Sequence, residues 1–402
     1  MLAYYYFFFE KIINNMMICK HFGECGGCRF QDREYSLQLE EKDKLCRRLL
    51  EDSGIKTELR AIIPSPEPFY YRNKMEYTFY HDGGELVCGL HRRDKNRSVF
   101  QLEECPLFSE DLPLIMATVM EFARATGLPA YHPYRHEGFW RNLVVREGKF
   151  TGQIMVNLVT SSEGKIDEEA LRQAFEGLPT EKRIVSLIHT VNDSLSNAVI
   201  PERVSILRGD PFYEEKLFQL SFRIPPFSFF QVNPFIMNIF YPELHRILDL
   251  KGSEKILDIF CGSGTIGLVL SSRAESVLGI ELDETAVENA RSNARLNRVG
   301  NLSFIAGKAS RVMVENREEW PGQFDLVVVN PPRSGISKKV VKRILEIEPE
   351  RVVYSSCNPK TFFPQAGMLL ERYHLETVQP FDFFPQTPHM ELLAVFRRKE
   401  SN

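Results

Sequence analysis

Tyr354-Ser355-Ser356-Cys357-Asn358-Pro359 sets a cysteine just past a strand-like run, between two small polar residues. A free cysteine is often a small buried hydrophobe. One at the carboxyl end of a strand in an open α/β sheet instead faces the ligand crevice, where its thiolate can act as a nucleophile. Glu391, in His389-Met390-Glu391, lies just before the last strand-like run and is the candidate general base. An acid in that place, taken alone, reads as a solvated charge. A second set of thiols stands far from these, as Cys19-x5-Cys25-x2-Cys28 followed by Cys105-Pro106. Four thiolates bind zinc or an iron–sulfur cluster, and the spacing leaves both open. Gly26 and Gly27 leave space for a bulky cluster, and a proline after the last cysteine also occurs in ferredoxin-type runs. Of the eight cysteines, Cys46 and Cys88 have no partner pattern and are expected to be buried, and Cys261 flanks a glycine-rich loop.

That loop, Cys261-Gly262-Ser263-Gly264-Thr265-Ile266-Gly267, follows a strand and opens a helix. Small residues let backbone approach a ligand, and a helix N-terminus offers free N–H groups. Glu281 ends the next strand, where an acid accepts hydrogen bonds from ribose hydroxyls. The glycines also spell G-x-G-x-x-G, the pattern of a dinucleotide site. Asp258 before the loop and Asn330-Pro331-Pro332-Arg333 at the tip of a later strand favour S-adenosylmethionine instead.

These residues need a scaffold with two parts. Ser36 to Leu50 reads as an amphipathic helix with Leu37, Leu45 and Leu49 on one side. Short alternating runs at Met75–Tyr80, Leu86–Leu90, Ser98–Leu102, Gly152–Val159, Arg183–Thr190 and Ser205–Gly209, with a helix over Pro113–Thr126, predict an α+β region to about residue 218. Strands at Lys255–Phe260, Ser276–Glu281, Leu302–Ala306, Asp325–Asn330 and Arg351–Ser355, with helices between them such as Asp283–Leu296, predict an α/β domain built on a parallel sheet. Two more strand-like runs, near Leu375–Pro380 and Leu392–Arg397, close the chain. The domain boundary is expected near 219–228.

A length of 402 residues suits two or three domains, and 43% hydrophobic with 26% charged residues is a globular balance. The net charge of −4 gives no global pull toward nucleic acid, so any such affinity must be local. Few cysteines in a long chain point to a reduced, cytoplasmic setting. The aromatic run Tyr4–Phe9 is too short for a membrane span and lacks the basic flank of a signal peptide. Residues 1–18 are expected to be an N-terminal extension, in part an over-long start.

Taken jointly, Cys19…Cys25…Cys28…Cys105, Tyr71-Arg72-Asn73-Lys74, Phe229-Phe230-Gln231-Val232-Asn233-Pro234, Asp258-Ile259-Phe260-Cys261-Gly262, Asn330-Pro331-Pro332-Arg333, Ser355-Ser356-Cys357-Asn358 and His389-Met390-Glu391 resemble the RNA (uracil-C5) methyltransferases over nearly the whole chain. Within them the chain is most similar to the bacterial 23S rRNA enzymes of the RumA/RumB type. Asn330, where many members have Asp, and a start without the RNA-binding TRAM barrel point to the RumB-like branch. The resemblance implies a C-terminal Rossmann-like methyltransferase domain, 219–402, and a central domain, 19–218, carrying a [4Fe-4S] cluster on Cys19, Cys25, Cys28 and Cys105. It implies Cys357 as nucleophile and Glu391 as base, with Gln231, Phe260, Gly262, Gly264, Glu281 and Asn330 at S-adenosylmethionine. It implies a monomer acting on RNA, with 23S rRNA favoured over tRNA.

The chemistry fits those residues. Carbon 5 of uracil is a poor nucleophile until a thiolate adds at carbon 6, and a base must then remove the carbon 5 proton. The target base has to leave its stack to reach Cys357. The clusters His91–Arg97 and Lys338-Lys339 with Lys342-Arg343 could bind phosphates, and Phe69, Tyr70 and Tyr71 could stack bases near Arg72 and Lys74. Three rivals are a methyltransferase acting on an exocyclic amine, a non-catalytic RNA-binding iron–sulfur protein and a nicotinamide-dependent oxidoreductase. Arg333 argues against the first, because such sites place an aromatic after the prolines.

Overall fold

The computed structural model describes residues 17–196, 199 and 201–400, so all but the last two residues of the expected extension lie outside it. Helix α1 (Tyr35–Ser53) ends at Gly54, whose left-handed φ of 68° closes it. Leu45 and Leu49 pack inward as expected, but Leu37 is exposed. The buried positions are Tyr35, Gln38, Lys42 and Cys46, so one turn of the inward face is polar. Strand β1 (Glu58–Leu59) follows.

Strands β2 (Lys74–Asp82) and β3 (Glu85–Gly89) form a hairpin, and β4 (His91–Arg92) and β5 (Lys95–Val99) a small ribbon. The strand expected at Ser98–Leu102 is thus set earlier, as β5. After α2 (Leu112–Ala125) come β6 (Trp140–Gly148), β7 (Gln153–Thr160), α3 (Glu168–Ala174), β8 (Arg183–Val191) and β9 (Arg203–Gly209). They complete a six-stranded sheet of order β3-β2-β6-β7-β8-β9. Its pairs are antiparallel except β7–β8, which α3 joins as a crossover. Aromatic side chains of Phe79, Phe139 and Trp140 anchor its core. Strand β6 escaped the sequence pattern because its buried run contains Arg141, Asn142 and Arg146.

A hairpin of β10 (Tyr213–Leu217) and β11 (Leu220–Ile224) then leads to α4 (Pro234–Leu248). The rest alternates: β12 (Lys255–Ile259), α5 (Thr265–Ser271), β13 (Ser276–Glu281), α6 (Glu284–Leu296), β14 (Leu302–Ala306), α7 (Ala309–Glu315), β15 (Leu326–Val329), α8 (Lys338–Ile347), β16 (Arg351–Ser356), α9 (Pro359–Leu369), β17 (Tyr373–Phe381) and β18 (Glu391–Arg398). The eight-stranded sheet has the order β1-β17-β18-β16-β15-β12-β13-β14. Strands β12 to β16 run parallel, and β18 inserts antiparallel between β16 and β17. The unbroken burial of Leu326–Val329 follows from having helices on both faces. On one side α4, α5 and α6 pack with the β10–β11 hairpin; on the other lie α7, α8, α9 and Cys46 of α1. The expected α/β sheet is present, and it takes its edge strand, β1, from residues far upstream.

Candidate active site at the carboxyl edge of the sheet

Strand β12 pairs with β13 on one side and β15 on the other, so the chain leaves it in both directions. Such a switch point opens a crevice at the strand ends. The backbone after β12 turns sharply: Phe260, Gly262 and Gly264 have φ of 65°, 54° and 76°. The first is costly for a residue with a side chain, by roughly 1–2 kcal/mol. A Cβ on Gly264 would stand 2.9 Å from the Phe304 ring, whereas one on Gly262 would meet nothing within 4 Å. Gly264 therefore seats helix α5, and Gly262 borders open space.

Glu281, at the end of β13, ties down this loop. Its Oε2 accepts from the Gly262 N–H at 3.1 Å, and its Oε1 from those of Leu282 and Asp283 at 2.6 and 3.1 Å. Asp258 is buried beneath, accepting from the Gly267 N–H at 3.1 Å. Burial pushes its carboxyl up to about 7, and its Oδ1 has no partner among the described residues. An acid on the rim, an orphan buried oxygen below and a glycine cradle fit a ligand that brings donors, as a ribose does.

The Phe229–Pro234 segment lies against this loop. Ser263 Oγ donates to the Phe229 carbonyl at 3.2 Å, and the Phe229 side chain is exposed. Gln231 is half-buried, its carbonyl accepting from Asn73 Nδ2 at 2.8 Å, while the Asn73 N–H donates to Val232 O at 2.9 Å. Buried Arg146 holds the preceding turn through the carbonyls of Pro226 and Ser228, at 3.1 and 2.7 Å. Tyr71 is not a base-stacking surface. Its ring is fully buried and its hydroxyl donates to Pro385 O at 3.1 Å, because this motif clasps loops and does not face solvent.

Asn330 stands at the tip of β15, its N–H on Ile259 O at 3.4 Å. The next loop is stitched to the one after β16: Asn358 Nδ2 and Thr361 Oγ1 donate to Arg333 O at 3.4 and 3.3 Å. Cys357 is half-buried at that junction. Burial is the main force raising its thiol pKa, the Glu391 carboxylate adds to it, and the Arg333 guanidinium opposes both by charge and hydrogen bonding. Strand register explains why Cys357 and Glu391 meet. Ser355 pairs with Leu393 and Ser356 with Leu392, so one further step sets Cys357 across from Glu391. Glu391 is completely buried, and Ser355 Oγ donates to its Oε1 at 2.6 Å. Burial pushes this carboxyl up to about 7, against the pull of the serine. Cys261, by contrast, is buried with its Sγ against Gly279.

The segment before Glu391 is anchored from the other end of the chain. Lys42 Nζ and Asp382 Oδ1 form an ion pair of 2.5 Å with both side chains buried. Gln38 Nε2 donates to Gln386 Oε1 at 2.9 Å and Gln38 Oε1 accepts from the Gln386 backbone N–H at 3.0 Å, while Gln386 O accepts from the N–H groups of Arg29 and Phe30. Sequence patterning missed Ser355, Arg146 and the Lys42–Asp382 pair; a lysine on the apolar side of α1 was the one available signal.

Cys19, Cys25, Cys28 and Cys105 come together in the first domain. Burial is the largest cause raising each thiol pKa; Cys19 adds to the rise at Cys25, Cys28 and Cys105, Cys25 to that at Cys28 and Cys105, and Cys105 to that at Cys28. Their sulfurs accept from the N–H of His21 at 3.4 Å, from that of Gly27 at 3.3 Å and from Gln31 Nε2 at 3.2 Å. Among the described residues no group of three or more His, Cys, Asp or Glu is closed tightly enough to hold a metal ion. Two arginines of the basic run beside them are engaged within the fold. Arg92 is paired with Asp82 and Glu24, and Arg93 donates to Cys28 O at 2.6 Å, so both brace the cysteine segment. No described helix is long and apolar enough to cross a membrane.

A Rossmann-like sheet with a glycine loop at its switch point and a half-buried cysteine at the same edge is an architecture shared with S-adenosylmethionine-dependent methyltransferases. The model of the tRNA (Uracil-5-)-methyltransferase family matches residues 34–399, and the chain belongs to that family. It is 39% identical over 383 residues to an uncharacterized RNA methyltransferase of Caldanaerobacter subterraneus subsp. tengcongensis, covering 94% of this chain and 84% of the relative. It is 36% identical over 377 residues to the tRNA (uracil(54)-C(5))-methyltransferase of Pyrococcus horikoshii, with coverage of 94% and 84%. The crystal structure of the Pyrococcus abyssi tRNA (uracil-54, C5)-methyltransferase in complex with S-adenosyl-L-homocysteine superposes with a TM-score of 0.75 at 33% identity, covering 92% of this chain and 85% of that one.

Proposed function

We propose that this enzyme moves a methyl group from S-adenosylmethionine to carbon 5 of a uridine in RNA, with Cys357 as nucleophile and Glu391 as base. The observation that carries this reading is the facing of a half-buried thiol and a fully buried carboxyl across β16 and β18. Cys357 adds through sulfur to carbon 6, which makes carbon 5 electron-rich enough to take the methyl group. Glu391 then accepts the carbon 5 proton, the C–H electrons re-form the ring double bond and the C6–S bond breaks. A carboxyl held near 7 is matched to taking a proton at neutral pH. Arg333 beside the thiol favours its thiolate.

Gln231, Phe260, Gly262, Gly264, Glu281 and Asn330 ring the crevice and are assigned to S-adenosylmethionine, which supplies the methyl group. Cys19, Cys25, Cys28 and Cys105 are assigned to a [4Fe-4S] cluster. Free thiols with N–H donors on the sulfurs of Cys19, Cys25 and Cys28, and the small Gly27 against the Cys25 sulfur, support that fit. Residues 19–218 are assigned to RNA and the cluster, and 219–402 to methyl transfer. The two Pyrococcus proteins described above are named as tRNA methyltransferases, so the preference for 23S rRNA gains no support from them and tRNA is the first substrate to assay.

Incubation with S-adenosylmethionine and unmodified tRNA or 23S rRNA transcripts, followed by nucleoside mass spectrometry, tests the reading. 5-Methyluridine in one of them is expected. A methylated exocyclic amine in place of it would overturn the assignment.

A further inference from the structure

We propose that Ser355 is the positioning residue of the base step: its hydroxyl fixes one oxygen of Glu391 so that the other faces the carbon 5 proton. The inference rests on the reading of Glu391 as base and adds the residue that holds it.

Strand register makes the pairing unavoidable. Ser355 lies opposite Leu393, so Glu391 is its diagonal neighbour on the same face, within reach of a short side chain. Cys357, two residues beyond Ser355, shares that face because strand side chains alternate. One sheet surface therefore carries the nucleophile, the base and the hydroxyl between their strands. The 2.6 Å bond runs from Ser355 Oγ to Glu391 Oε1, and both residues are buried. Oε1 is the oxygen that this bond occupies. A carboxylate with one oxygen held by a fixed donor turns less freely and presents its other oxygen as the less encumbered proton acceptor.

The same bond sets the working pH. Burial disfavours the ionised form of Glu391, and the serine is the one group that pulls the other way. Without the hydroxyl, less of the carboxyl is ionised at neutral pH and the remaining fraction is free to turn. A buried serine of this kind could also serve packing alone, so the test needs a readout that packing does not move.

That test uses the full-length enzyme, its RNA labelled with tritium at carbon 5 of uridine, and 5-fluorouridine RNA as control. Thiol addition and methyl transfer occur with both RNAs, but the fluorinated one has no proton to lose. Ser355→Ala should release tritium at least tenfold more slowly at pH 6.5, its rise with pH should move upward by about one pH unit, and methylated RNA should stay attached to Cys357; loss of a hydrogen bond to a charged group is of that size. The same variant should trap 5-fluorouridine RNA at the wild-type rate, and Ser355→Thr should restore most of the release. Equal slowing on both RNAs would make Ser355 a packing residue and overturn the proposal, as would unchanged release and pH dependence. If the wild-type enzyme itself releases no tritium while methylating its RNA elsewhere, the uracil reading fails first and takes this inference with it.

Discussion

Cys357 and Glu391 sit thirty-four positions apart in the sequence yet face each other across one step of β-ladder, because β18 returns antiparallel beside β16. The arrangement leaves the thiol proposed as nucleophile half-buried and the carboxyl proposed as base buried. It also accounts for the opposing pulls on the thiol, with Glu391 raising its pKa and Arg333 lowering it.

Replacing Cys357 with Ala should abolish methyl transfer while leaving S-adenosylmethionine binding within a few-fold, since the thiol attacks the base and does not hold the cofactor. Cys261→Ala should keep most activity and lose about 1 kcal/mol of stability from a small cavity. Calorimetry and a filter-based methyl-transfer assay separate the two. Activity that survives loss of Cys357 and vanishes with Cys261 would show the wrong cysteine was chosen.

The pH dependence follows from two groups raised above their ordinary values. Glu391 must be ionised to take a proton and Cys357 to attack, so the rate should climb through about pH 7 and keep rising, without a descending limb below pH 8.5. Stability runs the other way. A carboxyl whose folded pKa is raised stabilises the native state fully below its unfolded value, and that contribution is lost as pH rises through 7. Glu391→Gln should therefore unfold at a higher temperature than wild type at pH 8, by up to roughly 3 kcal/mol of stability, and show no such gain at pH 4.

The Lys42–Asp382 pair is expected to hold the segment leading into Glu391. Lys42→Met leaves Asp382 charged and buried, at a cost of about 3–5 kcal/mol, and removing both charges should recover most of the loss. Urea unfolding of the single and double variants measures this. A single variant as stable as wild type would mean the buried pair is not holding the segment.

For the cluster, protein prepared without oxygen should be brown and contain about four iron atoms per chain, and Cys25→Ala should lose iron and soluble yield together. Stoichiometric zinc without iron would replace the assignment.

Much of this was legible beforehand, for identifiable reasons. The five parallel strands read clearly because burial on both faces makes them continuous apolar runs such as Leu326–Val329. Cys357 and Glu391 could be picked out by their places at strand ends. Strand β6 and the true inner face of α1 were not, since Arg146 and Lys42 are buried by partners far away in sequence, at Pro226 and Asp382. Tyr71, Arg92 and Arg93 looked like RNA-binding groups and instead hold loops, a distinction that composition does not carry.

The central claim is that Glu391 removes the carbon 5 proton from an adduct held by Cys357. Glu391→Gln keeps the size of the side chain but cannot take the proton, and loss of a general base typically slows its step by about 10²–10⁴-fold. Incubated with S-adenosylmethionine and substrate RNA, this variant should accumulate a covalent protein–RNA band on a denaturing gel, and Cys357→Ala with Glu391→Gln should give none. Free methylated RNA released at near the wild-type rate, with no shifted band, would contradict the account and assign the base to another residue.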